Sequence, residues 1–421
     1  MKIKIKSKSY DYVSSLPQPK HFKPLKQSIL FRTLLKVLSF LDTFAVKLKC
    51  EKRGMEKLGK KEPCLYLMNH SSFLDLKIAS TIIYPRPFNI VCTTDGFVGK
   101  NLLMRLLGCI PTKKFITDLS LVRDMMYAFK TLKSSVLMFP EAGYAFDGTP
   151  IPIPDSLGKC LKIFGVPVVM IKTNGAFLRD PLYNNLQLRK IKVSVEMQYL
   201  LSPEEIAEKS VEELNSILRD AFTFDGFKWQ QENKIRITEK FRADGLNRLL
   251  YKCPKCLAEG YMKGEGTTLT CNSCGKVYEL DEYGFMRALD GNTEFPHIPD
   301  WFEWERQCVK NEITDGKYSL EAPVDIYMLV DMKCLYKVGD GIIKHSHDGF
   351  ILRGCDGKLE YTQKTTASYT LNVDFFWYEI GDVICIGNNN ALYYCFPKNM
   401  PDIVTKTRFA AEELYKLNRI R

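Results

Sequence analysis

The stretch Cys64–Leu76, "CLYLMNHSSFLDL", decides which fold is expected for the first half of this chain. Its opening apolar run, Cys64–Met68, has the length and composition of a buried strand. Four polar residues at 69–72 interrupt the run, and apolar residues then recur with helical spacing over Phe73–Ile83. The sequence therefore predicts a strand, a short junction and a helix, with one of the chain's five histidines in the junction.

The spacing between His70 and Asp75 favours this junction over a continuous helix. Five helical residues would leave the two side chains about 140° apart, so they could not readily touch. If the helix starts near Ser71 or Ser72, His70 lies outside it and can fold back over the first turn. Asp75 could then hold one ring nitrogen while the other takes a proton, as a catalytic base requires. The alternative is a satisfied polar turn without chemistry.

Residues 63–200 alternate short apolar runs with longer amphipathic stretches, which predicts an α/β sheet flanked by helices. Because the carboxyl ends of parallel strands meet at one edge, the polar residues at 69–70 and 140–144 are expected to come together. The expected strands are Cys64–Met68, Phe88–Cys92, Ser135–Phe139, Val166–Lys172 and Ile191–Met197. The expected helices are Phe73–Ile83, Gly99–Leu107, Leu119–Leu132 and Asp155–Phe164.

Four ordered segments resemble the signature blocks of the glycerolipid acyltransferases, typified by 1-acylglycerol-3-phosphate acyltransferase. These segments are Asn69–Asp75, Gly108–Lys114, Phe139–Ala145 and Val166–Val169. The resemblance covers roughly residues 25–225 and implies a glycerol-phosphate acyltransferase-like sheet. It also implies transfer of an acyl group from an acyl thioester, acyl-CoA or acyl carrier protein, to the hydroxyl of 1-acylglycerol-3-phosphate or a related lysophospholipid.

The resemblance implies that His70 is the general base and that Asp75 fixes its tautomer and stabilises the imidazolium. The residues expected to bind the substrate are Asn69, Lys113, Lys114, Glu141, Gly143 and Lys172. Tyr144 stands where the family has an arginine, and Gly143 replaces its threonine, so the phosphate contacts or the acceptor can differ. Glu141 could instead pair with a helix N-terminus, and the two lysines at 113–114 could be a solvated pair.

The cysteine spacing predicts a structural zinc site in the second half of the chain. Cys253 and Cys256, followed by Cys271 and Cys274, form a CxxC-x14-CxxC pattern that can close a tetrahedron of thiolates. Four protein ligands leave no coordination position open, so the metal is expected to be structural. The alternative, two redox dithiols, lacks the βαβ setting of a thioredoxin-like motif. Acidic residues in and after the intervening segment make nucleic acid an unlikely partner.

Residues 1–60 carry 15 Lys and Arg against 4 Asp and Glu, a net charge of +11 that equals the charge of the whole chain. Within them, Ser28–Cys50 is apolar, but charged residues interrupt it, and its uncharged runs are too short to span a bilayer. Its apolar residues fall on one helical face, which predicts a helix lying on an anionic phospholipid surface. The alternative is a helix packed on the protein's own core.

These patterns suggest a cytoplasmic protein that is peripheral on the inner face of the membrane. Leu201–Asp220 is expected to form one helix, and His345 and His347 are expected to be surface residues, with metal ligation as the alternative. The rival functions are a zinc-ribbon binding protein with an inactive acyltransferase-like domain, and an acyltransferase for a non-phosphate acceptor. The sequence divides the chain into four expected segments. They are a basic, amphipathic membrane-associating segment at 1–60, an acyltransferase domain at 61–230, a zinc ribbon at 250–285 and a β-rich C-terminal domain with a terminal helix at 286–421.

Overall fold

The computed structural model describes residues 2–113, 119–400 and 403–419. The first elements are β1 (Ile5–Ser7), α1 (Tyr10–Ser14), α2 (Ile29–Ala45), β2 (Lys49–Arg53), β3 (Leu65–Met68), α3 (Asp75–Ile83), β4 (Phe88–Thr93), α4 (Asn101–Leu106), β5 (Cys109–Thr112), α5 (Leu119–Lys130), β6 (Ser135–Met138), α6 (Ser156–Phe164), β7 (Val168–Asn174), α7 (Ala176–Arg179), β8 (Ser194–Leu201), α8 (Pro203–Glu208), α9 (Val211–Ala221) and α10 (Gly226–Glu232). The later elements are β9 (Met262–Glu265), β10 (Thr268–Cys271), β11 (Val277–Leu280), β12 (Met286–Ala288), α11 (Ile298–Thr314), β13 (Leu320–Leu329), β14 (Leu335–Ser346), β15 (Gly349–Gly354), β16 (Leu359–Gln363), β17 (Asn372–Trp377), β18 (Gly381–Gly387), β19 (Leu392–Pro397) and α12 (Ile403–Arg419).

The first sheet has seven strands in the order β2-β8-β7-β3-β6-β4-β5. All neighbours are parallel except β7 and β8. The central strand β3 is wholly buried, because its side chains alternate between two apolar clusters: Tyr66 and Met68 enter one, and Leu65 and Leu67 the other. A strand that is buried on both faces reads as a continuous apolar run. The predicted α/β sheet flanked by helices is confirmed.

The two edge strands of this sheet are absent from the sequence prediction. Strand β2 consists mostly of charged, exposed residues, so its hydropathy gives no strand signal. Strand β5 contains Pro111, which is tolerated because β5 has a neighbour on one side only. The single helix expected over Leu201–Asp220 is also wrong, since Leu201 ends β8 and two helices follow. Each has its own capping box, led by Ser202 in α8 and Ser210 in α9.

Two further sheets follow in the second half of the chain. Strands β9 to β12 form a four-stranded antiparallel ribbon. Strands β13 to β19 form one antiparallel sheet in the order β16-β15-β14-β13-β19-β18-β17, and β1 pairs with β14 as its eighth, parallel strand. The zinc ribbon and the β-rich C-terminal region expected from the sequence are therefore present. The pairing of Ile5 with Leu335 was not predicted, because nothing in a three-residue strand identifies its partner.

Helix α2 lies against α3 and presents an apolar surface to solvent. Leu30, Leu38, Leu41 and Phe44 are between 63% and 75% exposed, which is unusual for four large apolar side chains on one helix. Among the described residues, no helix is long and apolar enough to cross a bilayer.

Candidate active site

His70 lies between the end of β3 and the start of α3, which begins at Asp75. The Nδ1 atom of His70 lies 3.0 Å from Oδ2 of Asp75. The His70 side chain is 20% exposed, whereas the Asp75 side chain is almost sealed at 1%. The structure thus places His70 outside the helix and Asp75 in its first turn, although the helix begins three residues after Ser72.

The Asp75 carboxylate is held rigidly on one oxygen. Besides the His70 ring, Oδ2 accepts the backbone N–H groups of Ser71 at 2.8 Å and Ser72 at 3.0 Å. Oδ1 is buried and has no hydrogen-bond partner within the described ranges. A carboxylate beside Nδ1 stabilises the tautomer that carries the proton there. Nε2 is therefore the acceptor nitrogen of a ring that is open to solvent.

Aromatic side chains form the surroundings of the His70 ring. Its centroid lies 4.2 Å from that of Phe139 and 3.8 Å from that of Tyr144. Tyr144 in turn stacks on Phe73 at 5.1 Å, and Phe73 is 43% exposed. Burial raises the pKa of the Tyr144 hydroxyl well above its ordinary value, so this side chain stays neutral. A neutral aromatic ring thus occupies the place where the resemblance leads one to expect a phosphate-binding arginine.

Glu141 holds the loop that carries His70. Its Oε2 accepts the backbone N–H of His70 at 2.8 Å, and its Oε1 accepts that of Ile151 at 3.0 Å. The residue is 1% exposed, and burial raises the pKa of its carboxyl to about 8. Both carboxyl oxygens of Glu141 are therefore occupied by hydrogen bonds from backbone N–H groups. The next residue, Ala142, has a left-handed backbone with φ of +55°.

Asn69 connects the carboxyl ends of β3 and β7. Its Oδ1 accepts the backbone N–H of Thr173 at 2.8 Å, while Nδ2 donates to Thr173 O at 3.2 Å and to Ser71 Oγ at 3.1 Å. The side chain is fully buried. Asn69 and Glu141 were both predicted to bind the substrate. In this structure, the polar atoms of both side chains form hydrogen bonds that hold the loop around His70 in place.

The two predicted lysines that the structure describes each donate to a backbone carbonyl. Lys113 Nζ donates to Asn389 O at 2.6 Å, and Lys172 Nζ donates to Thr223 O at 3.1 Å. Gly143 is partly exposed beside Tyr144. Lys114 lies outside the described residues.

The sequence did not identify two charged residues behind the dyad, Asp180 and Arg179. Ser72 Oγ donates to Oδ1 of Asp180, a carboxylate 108 positions further along the chain. The other Asp180 oxygen accepts from Arg179 Nη1 at 3.0 Å. Burial raises the pKa of Asp180 to about 6. No local spacing could reveal this link, because the two residues meet only when the sheet has formed.

The C-terminal sheet also reaches the third block. Asn372 Nδ2, at the start of β17, donates to Ala142 O at 3.2 Å. Phe375 stacks on Phe146 with ring centroids 4.3 Å apart. The region 286–421 thus forms part of the surroundings of the candidate site.

The four cysteines of the ribbon converge as their spacing predicts. Their Sγ atoms all lie within 4.8 Å of one another, with Cys253 and Cys274 at 3.7 Å and Cys256 and Cys271 also at 3.7 Å. Tetrahedral zinc with Zn–S bonds of about 2.3 Å places its sulfurs about 3.8 Å apart. The donor set therefore fits zinc, which would tie the two turns of the ribbon together. The ribbon packs on α11 through Trp301, whose Nε1 donates to Lys252 O at 3.1 Å.

Comparison with known proteins assigns the part of the chain that carries the dyad. Residues 49–172 match the family model described as Acyltransferase. This part of the chain is similar to the acyltransferases that the model describes. The 1-acyl-sn-glycerol-3-phosphate acyltransferase BAT2, chloroplastic, of Brassica napus is 30% identical to this chain over 132 residues. The resemblance to the glycerolipid acyltransferases is thereby confirmed.

The coverage of these matches is partial. The aligned segment makes up 30% of this chain and 38% of the Brassica protein. The crystal structure of the 1-acyl-sn-glycerophosphate (LPA) acyltransferase PlsC from Thermotoga maritima is 16% identical, with a TM-score of 0.38. It covers 45% of this chain and 76% of its own. The zinc ribbon and the C-terminal sheet lie beyond the residues that match the acyltransferase model.

Proposed function

We propose that this protein transfers a fatty acyl group from an acyl thioester, acyl-CoA or acyl carrier protein, to the hydroxyl of 1-acylglycerol-3-phosphate or a related lysophospholipid. The observation that carries the proposal is the His70–Asp75 pair within the acyltransferase domain. Its Nδ1 is held by a buried carboxylate, and its Nε2 belongs to a partly exposed ring. This is the arrangement of a general base with its orienting acid.

The chemistry needs no covalent intermediate. Nε2 of His70 takes the proton of the acceptor hydroxyl as its oxygen attacks the thioester carbonyl and forms the new C–O bond. Asp75 stabilises the imidazolium that results, because its charge lies 3.0 Å from Nδ1. When the tetrahedral intermediate collapses, the C–S bond breaks and the thiolate takes the proton back from His70. The products are the acylated lipid and the free thiol, and the base is regenerated.

The acceptor is proposed to be met at a membrane surface. The exposed apolar residues of α2, together with the net positive charge of residues 1–60, match a helix that lies in the headgroup region with its lysines toward anionic lipid. The exposed Phe73, which stacks on Tyr144 beside His70, gives the site itself an apolar margin. The inner face of the cell membrane is the proposed location, because its anionic lipids attract the positive charge of residues 1–60.

The direct test is acyl transfer from acyl-CoA and from acyl carrier protein to lysophosphatidic acid, with His70→Ala compared with wild type. We expect a fall in rate of about 10⁴-fold, since the proton acceptor is removed. His347→Ala is the matched control, because His347 is exposed and lies in the C-terminal region. Unchanged activity in a folded His70→Ala protein would contradict the proposed mechanism.

The surface of α2 is tested separately. Replacing both Leu38 and Leu41 by serine should weaken sedimentation with anionic vesicles by at least about tenfold, because two exposed leucines lose their burial in lipid. Leu289→Ser serves as the control, since Leu289 is similarly exposed at 62% but lies next to the ribbon. Equal losses in both proteins would argue against α2 as the membrane contact.

A second candidate acceptor is a lipid or other alcohol without a phosphate monoester. It is favoured by Tyr144, which stacks on His70 where the family resemblance calls for arginine, and by the engagement of Lys113 and Lys172 elsewhere. A panel of acceptors with and without phosphate separates the two candidates. A preference for lysophosphatidic acid that is unaffected by Tyr144→Phe would exclude this second candidate.

A further inference from the structure

Helix α2 is oriented with its polar side against the protein. Its buried residues are Ser39 and Thr43, whereas Leu38 and Leu41 are 63% and 75% exposed. Both buried hydroxyls are satisfied by carbonyls of the helix itself. Among the charged side chains of α2, Asp42 pairs with Lys77 and Arg179, and Lys36 Nζ lies 4.2 Å from the centroid of the Tyr84 ring.

Asp42 begins a chain of hydrogen bonds that ends at the dyad. Its Oδ1 accepts from Arg179 Nη2 at 3.1 Å, and Arg179 Nη1 donates to Asp180 Oδ2 at 3.0 Å. Asp180 Oδ1 accepts from the hydroxyl of Ser72, and the backbone N–H of Ser72 donates to Asp75 Oδ2 at 3.0 Å. Arg179, Asp180 and Asp75 are 11%, 4% and 1% exposed, so water screens the inner links weakly, whereas Asp42 itself is 30% exposed.

A second contact connects Asp42 to the helix that carries Asp75. Lys77 Nζ donates to Oδ2 of Asp42, and Lys77 follows Asp75 by two positions in α3. Asp42 therefore bridges α2 to both structures that fix the orientation of Asp75: the first turn of α3 and the loop at Ser72. Rotation of α2 would break both contacts together.

We propose that Asp42 is a positioning residue through which the seating of α2 on a lipid surface sets the geometry of the dyad. The inference rests on the proposed function, since it takes His70 as the base and α2 as the membrane contact. It adds to that function that the geometry of the dyad depends on lipid, and that the Asp42 carboxylate transmits this dependence.

The physical basis is that apolar burial and the Asp42 contacts favour different orientations of α2 in water and the same orientation at a lipid surface. In water, the exposed leucines of α2 favour any rotation that buries them, whereas Asp42 requires the present orientation. At a lipid surface the leucines leave water without rotation of the helix, so apolar burial and the Asp42 contacts favour the same state. Lipid thus binds the ordered state more tightly than the rotated one, which is the condition for a ligand to shift a conformational equilibrium.

The experiment measures hydrogen exchange of the amides at 70–77 in the full chain, with and without vesicles of phosphatidylcholine and phosphatidylglycerol. It compares wild type with Asp42→Asn and with Asp155→Asn. Asp155 is the matched control, because it is an exposed carboxylate that also contacts two cations, Arg219 and Arg419. Turnover of vesicle-borne lysophosphatidic acid and vesicle binding are measured on the same proteins.

Wild type and Asp155→Asn should gain protection at 70–77 on adding vesicles, whereas Asp42→Asn should gain little while still binding them. The kcat of Asp42→Asn should fall about tenfold with KM unchanged, and Asp42→Glu should recover most of the loss. Equal protection in Asp42→Asn and wild type, or a glutamate variant no better than asparagine, would overturn the proposal. Lipid-dependent protection in a wild type without turnover would support the coupling and refute the proposed acyl transfer instead.

Discussion

His70 and His345 each hold Nδ1 in a hydrogen bond, yet their surroundings give them opposite properties. His70 faces a carboxylate at 3.0 Å and keeps 20% of its side chain exposed. His345 lies 2.9 Å from the hydroxyl of Tyr318, stacks on Phe350 at 3.8 Å and is 1% exposed. Burial lowers the pKa of His345 to about 3. A charged partner and an open edge suit a ring for proton transfer, whereas a neutral partner and full burial keep it an uncharged part of the core.

Among changes to these two histidine environments, the largest effect is expected from removing the negative charge of Asp75, which distinguishes the surroundings of His70 from those of His345. In Asp75→Asn the amide oxygen can take the place of Oδ2, so the bonds from the ring and from the two serine N–H groups persist while the negative charge is lost. We expect acyl transfer to fall by about 10³-fold without loss of fold. Rates of the variant and of Asp348→Asn, an exposed aspartate, measure this. Activity within a few-fold of wild type would show that the carboxylate is not needed.

The second effect concerns the pH dependence of stability from His345. Its pKa is lower in the folded than in the unfolded chain, so its contribution is present above the unfolded value of about 6.5 and is lost as pH falls toward 3. Between pH 6.5 and pH 5 the loss should approach about 2 kcal/mol, since the unfolded chain alone takes up the proton. Urea unfolding of wild type and His345→Gln at both pH values measures it. The same slope in both proteins would contradict a neutral, buried imidazole.

A smaller effect is expected from the partner of His345. Tyr318→Phe removes the hydroxyl and leaves Nδ1 buried without a hydrogen bond, at a cost of about 1–2 kcal/mol. Unfolding measurements should show this loss, while acyl transfer stays unchanged because the Tyr318 hydroxyl bonds to His345 and not to a residue of the dyad. A fall in activity at unchanged stability would mean that the two histidine environments are coupled.

The smallest effect lies in the loop beside His70. Ala142 adopts φ of +55°, a region that costs a residue with a side chain about 1–2 kcal/mol. Ala142→Gly should relieve part of this strain and raise stability by about 0.5 kcal/mol. Its carbonyl would still accept from Asn372. Ala411→Gly, within helix α12, should instead destabilise by about 1 kcal/mol. Melting temperatures that move in the same direction for both variants would contradict this account.

Short-range patterns made the dyad and the zinc site predictable. His70 and Asp75 are five residues apart, and the four cysteines fall within 22 residues, so each constellation is visible as a spacing. The hydrogen bond between Ser72 and Asp180 joins residues 108 positions apart and depends on the packed sheet. It therefore could not be predicted from a local sequence spacing. His345 was expected at the surface, and that expectation was wrong for it. His345 is buried because its cross-strand partner Phe350 stacks on it and Tyr318 covers its Nδ1, while His347, just beyond the strand, is exposed.

The pairing of β1 with β14 has a consequence for the order in which this chain can fold. Ile5 has its register partner at Leu335, so the first strand leaves the ribosome long before its neighbour exists. Closing so long a loop is slow, because its entropy is lost before the contact contributes. The basic segment around β1 therefore stays available to other surfaces throughout synthesis, and an anionic membrane could engage it before the C-terminal sheet does.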